Sequence, residues 1–266
     1  MCTKFHIICK FKERPKIRDK NHMSPETKGI FITGTDTGVG KTVISAALLT
    51  ILRNKGIDAV PMKPIQTGCI KTGAELIAPD LEFCLKMSGL SVSEKEKKLM
   101  LPYCFEKACS PHLASEQAGQ KISINRITDS LHALKEKHQF IVVEGAGGIL
   151  VPIDAEKTML DLMTAMALPV VLVARPSLGT INHTLLSIHE LRRANISVSG
   201  VIINESRAAS WGDIESDNIK TIERMGELQV IGHLPFLSDI DTMSQNHFAK
   251  LSGKYFTTTL MGCLQL

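Results

Sequence analysis

Short apolar runs alternate with amphipathic stretches from residue 29 onward. The runs are Ile30–Gly34, Ala59–Lys63, Phe140–Glu144, Val170–Ala174, Val198–Asn204 and Val230–Leu234. Most are rich in Val and Ile and apolar throughout, as expected of parallel strands covered on both faces. Between them, apolar residues recur at helical spacing. Val43–Arg53 places Ile44, Ala47, Leu48 and Ile51 on one side, and Asn125–Lys137 does so with Ile127, Leu131 and Leu134. Leu160–Ala167, Ile181–Ala194 and Asp217–Met225 complete the helices. The alternation predicts an α/β fold: a doubly wound, mostly parallel sheet with helices on both faces. Ligands of such folds bind at the carboxyl ends of the strands. Gly34, Lys63, Glu144, Ala174, Asn204 and Leu234 all stand there. Residues 66–123 are the least regular part, and Ser93–Lys98 reads as a solvated surface segment.

The first strand runs into Gly34-Thr-Asp-Thr-Gly-Val-Gly-Lys-Thr42, and a helix follows. Strand, Gly-rich loop and helix form the setting of a phosphate-binding P-loop. Backbone N–H groups and the positive helix end would cradle a polyphosphate. Lys41 would reach the terminal phosphates, and the Thr42 hydroxyl would hold Mg²⁺. The common pattern puts four residues between the first Gly and Gly-Lys-Thr; here five separate Gly34 from Gly40.

Three further strand ends carry chemistry. Lys63, in Lys63-Pro-Ile-Gln-Thr-Gly68, suits charge stabilisation on a phosphoryl group or an anionic substrate, or is a plain surface lysine. Glu144, before Gly145-Ala-Gly-Gly148, stands where a second Mg²⁺ contact would sit, or is a solvated strand end at a tight turn. Asn204 and Glu205 either read a base or cap the next segment. Asp80 reads as the N-cap of a helix over Leu81–Met87, or as a third carboxylate near Mg²⁺. In Ser110-Pro-His112, an N-cap precedes Pro at the first helical position.

Composition narrows the classes. At 266 residues the chain can bury one substantial core. We expect residues 29–266 to form a single P-loop α/β domain. No apolar run approaches a membrane span, so no membrane partner is expected. Net charge is +4, yet residues 1–28 alone hold eight Lys/Arg against three acids. The rest is near neutral and offers no electrostatic case for nucleic acid. The basic start reads as a disordered extension, or as sequence ahead of a later start at Met23, and lacks a signal peptide's apolar core. Seven scattered cysteines show no Cys-x-x-Cys spacing, so neither a zinc site nor a disulfide framework is indicated. Reduced thiols in the cytoplasm fit that pattern best.

The P-loop with its five-residue spacing, Lys63–Gly68, Ser110–His112, Val143–Gly148 and Leu178-Gly-Thr-Ile-Asn-His183 together resemble the dethiobiotin synthetase family over residues 29–255. The resemblance implies ATP-dependent ureido ring closure in biotin synthesis. One amine of 7,8-diaminononanoate takes up CO₂ as a carbamate, ATP phosphorylates it, and the neighbouring amine expels phosphate. It implies Lys63 and Lys41 as catalytic cations. Gly38, Val39, Gly40, Lys41, Thr42 and Val43 would bind phosphates, and Thr42, Asp80 and Glu144 would surround Mg²⁺. Glu144, Gly145, Ala146 and Gly147 would lie against nucleotide and diamine. Asn204 would read adenine, with Glu205 standing where the family has Asp. Pro235, Phe236 and Leu237 would line the base pocket, and Thr67 would contact the diamine. Gly179, Thr180 and Asn182, at a helix start, would hold the substrate carboxylate of a partner subunit, implying a homodimer with the site at its interface. Gly38 also stands where some members carry Glu.

Other readings of the P-loop are a regulatory ATPase and an amide-forming synthetase of the cobyrinate type. A partition-type ATPase carries a signature lysine where this chain has Asp36. The cobyrinate type needs a glutaminase domain for which the chain leaves little room. A degenerate nucleotide-binding scaffold would have no use for intact Lys41, Thr42, Lys63 and Glu144.

Overall fold

A computed structural model describes residues 29–208 and 211–256. The basic segment 1–28 lies outside these residues. In chain order the elements are β1 (Gly29–Gly34), α1 (Lys41–Asn54), β2 (Ala59–Met62), β3 (Ile65–Thr67), β4 (Ile70–Thr72), β5 (Glu75–Ile77), α2 (Pro79–Ser88), α3 (Glu94–Met100), β6 (Tyr103–Phe105) and α4 (Pro111–Gln117). They continue with α5 (Ile124–Lys135), β7 (Phe140–Gly148), α6 (Met159–Met166), β8 (Val170–Ala174), α7 (Thr180–Arg193), β9 (Val198–Asn204), α8 (Asp213–Gly226), β10 (Val230–Leu234) and α9 (Gln245–Phe256).

Six strands form one parallel sheet in the order β10-β9-β8-β1-β7-β2. The side-chain period of two divides the core between its faces. Ile30, Ile32, Val142 and Val171 pack against α1 and α9. Phe31, Ile141, Val143 and Val170 pack with residues of α5 and α6, and Leu172 and Ile203 with residues of α7 and α8. Ile30, Phe31 and Ile32 are completely buried, so each contributes on the order of 1.5–3 kcal/mol. β1, which feeds the P-loop, is hydrogen-bonded on both sides. The loop is therefore anchored to an interior strand of the sheet. No helix among the described residues is long and apolar enough to cross a membrane.

Several local expectations need correction. Asp80 is not an N-cap: Ala78 holds that position and Pro79 opens α2. Proline suits the first turn because it lacks the N–H that would go unpaired there. Ser93–Lys98 is solvated as expected, and what the pattern did not give is that it is helical from Glu94, with the Ser93 hydroxyl accepting the Glu96 N–H to start α3. The apolar run from Phe140 does not end at Glu144; β7 continues through the glycines to Gly148. β2 stops at Met62, since the Lys63 N–H leaves the sheet to donate to the Met100 carbonyl at 2.7 Å. The irregular stretch contains the parallel pair β3–β6 and the hairpin β4–β5. Contrary to the expectation of reduced thiols throughout, Cys69 and Cys104 form a disulfide. Pairing of β3 with β6 juxtaposes them, and the Cys69 N–H donates to the Phe105 carbonyl at 2.9 Å. A partner 35 residues away leaves no spacing signal.

Candidate active site

The P-loop bridges the end of β1 and the start of α1. Gly38 and Gly40 have φ of 73° and 94°, the left-handed region that glycine tolerates. At Gly40 the fit is close as well: a Cβ would stand 2.0 Å from Asn204 Nδ2. The Asn204 amide in turn donates to the Val39 carbonyl at 2.9 Å, tying the end of β9 to the loop. Lys41 Nζ folds back to the Asp36 carbonyl at 2.9 Å. Asp36, at the position of a partition-type ATPase's signature lysine, faces Arg175 at 2.5 Å.

Beside the loop, Lys63 Nζ lies between two carboxylates, 2.6 Å from Glu144 Oε1 and 2.7 Å from Asp80 Oδ2. It also donates to the Gly145 carbonyl at 3.2 Å. The Thr42 hydroxyl donates to Glu144 Oε1 at 2.9 Å. The Lys63 and Glu144 side chains are each 5% exposed, and Asp80 is 31% exposed. Burial pulls the Lys63 pKa down, but Glu144 and Asp80 together outweigh it and hold the ammonium above the usual lysine value. Burial likewise works to raise Asp80, yet the charge and hydrogen bond of Lys63 bring its carboxyl below the usual range. Lys41 lacks a salt bridge of that kind. Burial, then repulsion from Lys63, lowers it to about 8.

These groups open into a cavity of about 530 Å³. Of the residues expected at the site, Gly38, Gly40, Lys41, Thr42, Val43, Lys63, Thr67, Asp80, Glu144, Ala146 and Gly147 line it. Val39 is buried behind the loop and Gly145 offers its carbonyl to Lys63. A smaller cavity of about 140 Å³ adjoins through Gly40 and Val43, and Asn204, Glu205, Pro235, Phe236 and Leu237 wall it. Gly179, Thr180 and Asn182 line neither cavity; they begin α7, with Gly179 at the N-cap. A third cavity of about 630 Å³ lies between the P-loop and α7, walled in part by Thr37, Leu150, Val151, His183 and Leu186.

Residues that were not singled out also line these spaces. Thr37, Ile65, Gln66, Gly68 and Pro79 face the large cavity, and Ser206 and Ile240 the small one. Gln66 and Gly68 lie inside the Lys63–Gly68 motif, which was their only signal. His233, 2.6 Å from Glu205, had none.

The donor set fits a magnesium ion. Two carboxylates and a hydroxyl converge at the P-loop end of the cavity, whereas no group of three or more His, Cys, Asp or Glu able to hold a metal occurs among the described residues. Magnesium takes one or two carboxylates and completes its octahedron with phosphate oxygens and water.

A family model described as an AAA domain matches residues 28–244. The ATP-dependent dethiobiotin synthetase BioD of Halalkalibacterium halodurans is 36% identical over 217 residues, covering 81% of this chain and 88% of that protein. The enzyme of the same name from Thermodesulfovibrio yellowstonii is 38% identical over 220 residues, covering 80% and 90%. Among solved structures, a chain of the Aquifex aeolicus MinC:MinD cell division protein complex superposes with a TM-score of 0.56 at 16% identity, covering 88% of this chain and 96% of that one. A ParA family ATPase from Chlorobium tepidum gives 0.51 at 13% identity, covering 85% and 90%. At such identities these two likenesses speak for the fold alone: a P-loop NTPase sheet.

Proposed function

The chain belongs to the ATP-dependent dethiobiotin synthetase family, and on that premise we propose how its residues divide the work. It is an ATP-dependent ligase that closes the ureido ring of dethiobiotin in biotin biosynthesis. The substrates are 7,8-diaminononanoate, CO₂ and ATP. Attack by a carbamate on the γ-phosphate brings two anions together, so catalysis rests on positioning and cationic charge.

Lys63 supplies that charge at the carbamate and the transferring phosphoryl group, and Thr67 faces the same space to contact the diamine. Lys41, neutral in part near pH 8 in the free protein, takes a full charge beside the phosphates. Backbone N–H groups of Gly38 to Val43 hold the polyphosphate. Thr42, Asp80 and Glu144 would hold Mg²⁺, which would supply positive charge to neutralise the polyphosphate. Ala146 and Gly147 bound the diamine side of the cavity. Asn204, Glu205 and Pro235 to Leu237 enclose the base.

Gly179, Thr180 and Asn182 serve a second subunit. They line none of the three cavities described above, and Leu150 and Leu186, which wall the cavity between the P-loop and α7, are 57% and 61% exposed, as an unpaired interface would leave them. The homodimer therefore shares its sites, with the positive end of α7 receiving the substrate carboxylate. We place the reaction in the cytoplasm, where ATP is at hand.

The observation that carries this reading is Lys63 between Glu144 and Asp80, next to the Thr42 hydroxyl. Its test is Lys63→Ala. Turnover should fall by about 10²–10³-fold or more while ADP still binds; turnover within a few-fold of the parent enzyme would overturn the assignment.

A further inference from the structure

The small cavity presents acceptors. Asn204 commits its amide nitrogen to the Val39 carbonyl at 2.9 Å. A carbonyl only accepts, so the amide orientation is set and Oδ1 remains an acceptor. Beside it stands Glu205, with a side chain 8% exposed. A carboxylate that deep needs a donor to hold it. His233 provides one, its Nε2 lying 2.6 Å from Glu205 Oε1. Toward a carboxylate that nitrogen must carry the proton. The imidazole is itself braced: the Trp211 ring lies 3.9 Å away, centroid to centroid, tilted by 32°, and Trp211 Nε1 donates to Ser216 Oγ at 3.2 Å. The Glu205 N–H also donates to the Leu234 carbonyl at 2.9 Å, joining the ends of β9 and β10 that bound the cavity.

We infer that His233 is a positioning residue for nucleobase selection, holding the Glu205 carboxylate as an acceptor for a base that bears an exocyclic amine. Bases of the amino class, such as adenine, satisfy Glu205 and Asn204 Oδ1 together. A keto base such as hypoxanthine sets its own acceptor against them, and a polar site built for an N–H rejects an analogue that lacks it. His233 does not line the cavity, so its action runs through Glu205. The inference rests on the placing of the base between Asn204 and Leu237, not on the ring-closing chemistry.

Equilibrium binding of ADP and IDP to the full chain tests it without turnover. The parent protein should prefer ADP by about tenfold or more. In His233→Ala that preference should shrink to within about threefold through loss of ADP affinity, with IDP affinity little changed. His233→Gln, whose amide can still donate to Glu205, should restore most of it. Glu205→Leu, independent of the imidazole, should lose the same preference. No preference in the parent, an equal loss of both affinities in His233→Ala, or an unchanged ratio in Glu205→Leu would each overturn the inference. Failure of the ring-closing reading would show instead as absent product, with the ADP-to-IDP ratio intact.

Discussion

Replacing Lys63 with Met removes the charge but keeps an unbranched stem, so packing changes little. What changes is the company of Glu144. With the ammonium at 2.6 Å gone, that buried carboxylate keeps only the Thr42 hydroxyl at 2.9 Å among its described partners. Breaking a buried ion pair from one side costs about 3–5 kcal/mol. Asp80, 31% exposed, can turn to water and adds little. For a chain of this size about 2–4 °C of midpoint accompanies each kcal/mol, so the midpoint should drop on the order of 10 °C. Glu144→Gln alone leaves Lys63 its pair with Asp80 and should cost less, about 1–3 kcal/mol. The double variant carries no stranded charge and should be about 2–3 kcal/mol more stable than the sum of the single losses implies. Denaturant unfolding of the four proteins, with chelator and without nucleotide, reads these values. Losses that add within about 0.5 kcal/mol would refute the view that Lys63 and Glu144 act as one buried pair.

Lys41, lowered to about 8 in the free protein, should recharge when phosphate arrives. Calorimetry of ADP binding at pH 8.5 in buffers of different ionisation enthalpy should show uptake of about 0.7 proton, and affinity should fall as pH rises past 8; no uptake would contradict this. The same shift has a stability sign. Because the folded-state pKa lies below the unfolded one, the penalty is fully present below pH 8 and is relieved as pH rises toward the usual lysine value. Gly40→Ala forces a Cβ to within 2.0 Å of Asn204 Nδ2 at φ 94°, so it should cost about 1–3 kcal/mol and weaken ADP binding more than tenfold, both read by titration and unfolding. If sites are shared between subunits, inactive Lys63→Ala and inactive Asn182→Asp proteins, once mixed and allowed to exchange, should regain about a quarter of parental activity; no recovery despite exchange would count against the shared site.

The sheet was legible because its strands are buried on both sides and therefore read as continuous Val/Ile runs. Three of the six boundaries, those of β8, β9 and β10, agree to the residue. Helix starts were less so. α1 begins at Lys41 rather than Val43 because Gly40 caps it in a left-handed conformation, and apolar periodicity is blind to residues that face a ligand space. The two carboxylates beside Lys63 illustrate a second limit. Glu144 stood out as the one charged residue in an apolar run, although β7 continues past it to Gly148. Asp80 is brought to Lys63 by the packing of α2, and its local sequence left a cap and a carboxylate near the site both open. The parallel pair β3–β6 and the Cys69–Cys104 link depend on contacts across more than thirty residues, which no local pattern encodes. His233 escaped for the same reason: its partner Glu205 sits on a neighbouring strand end.

The central claim is that ATP is spent on closing a ring and not on switching a conformation. Incubating the protein with 7,8-diaminononanoate, bicarbonate and Mg-ATP, with a control lacking the diamine, and following products by mass spectrometry tests it most directly. The account predicts dethiobiotin formed one for one with ADP, and little ADP in the control. Equal ADP with and without diamine, and no ring product, would contradict it and favour a regulatory ATPase.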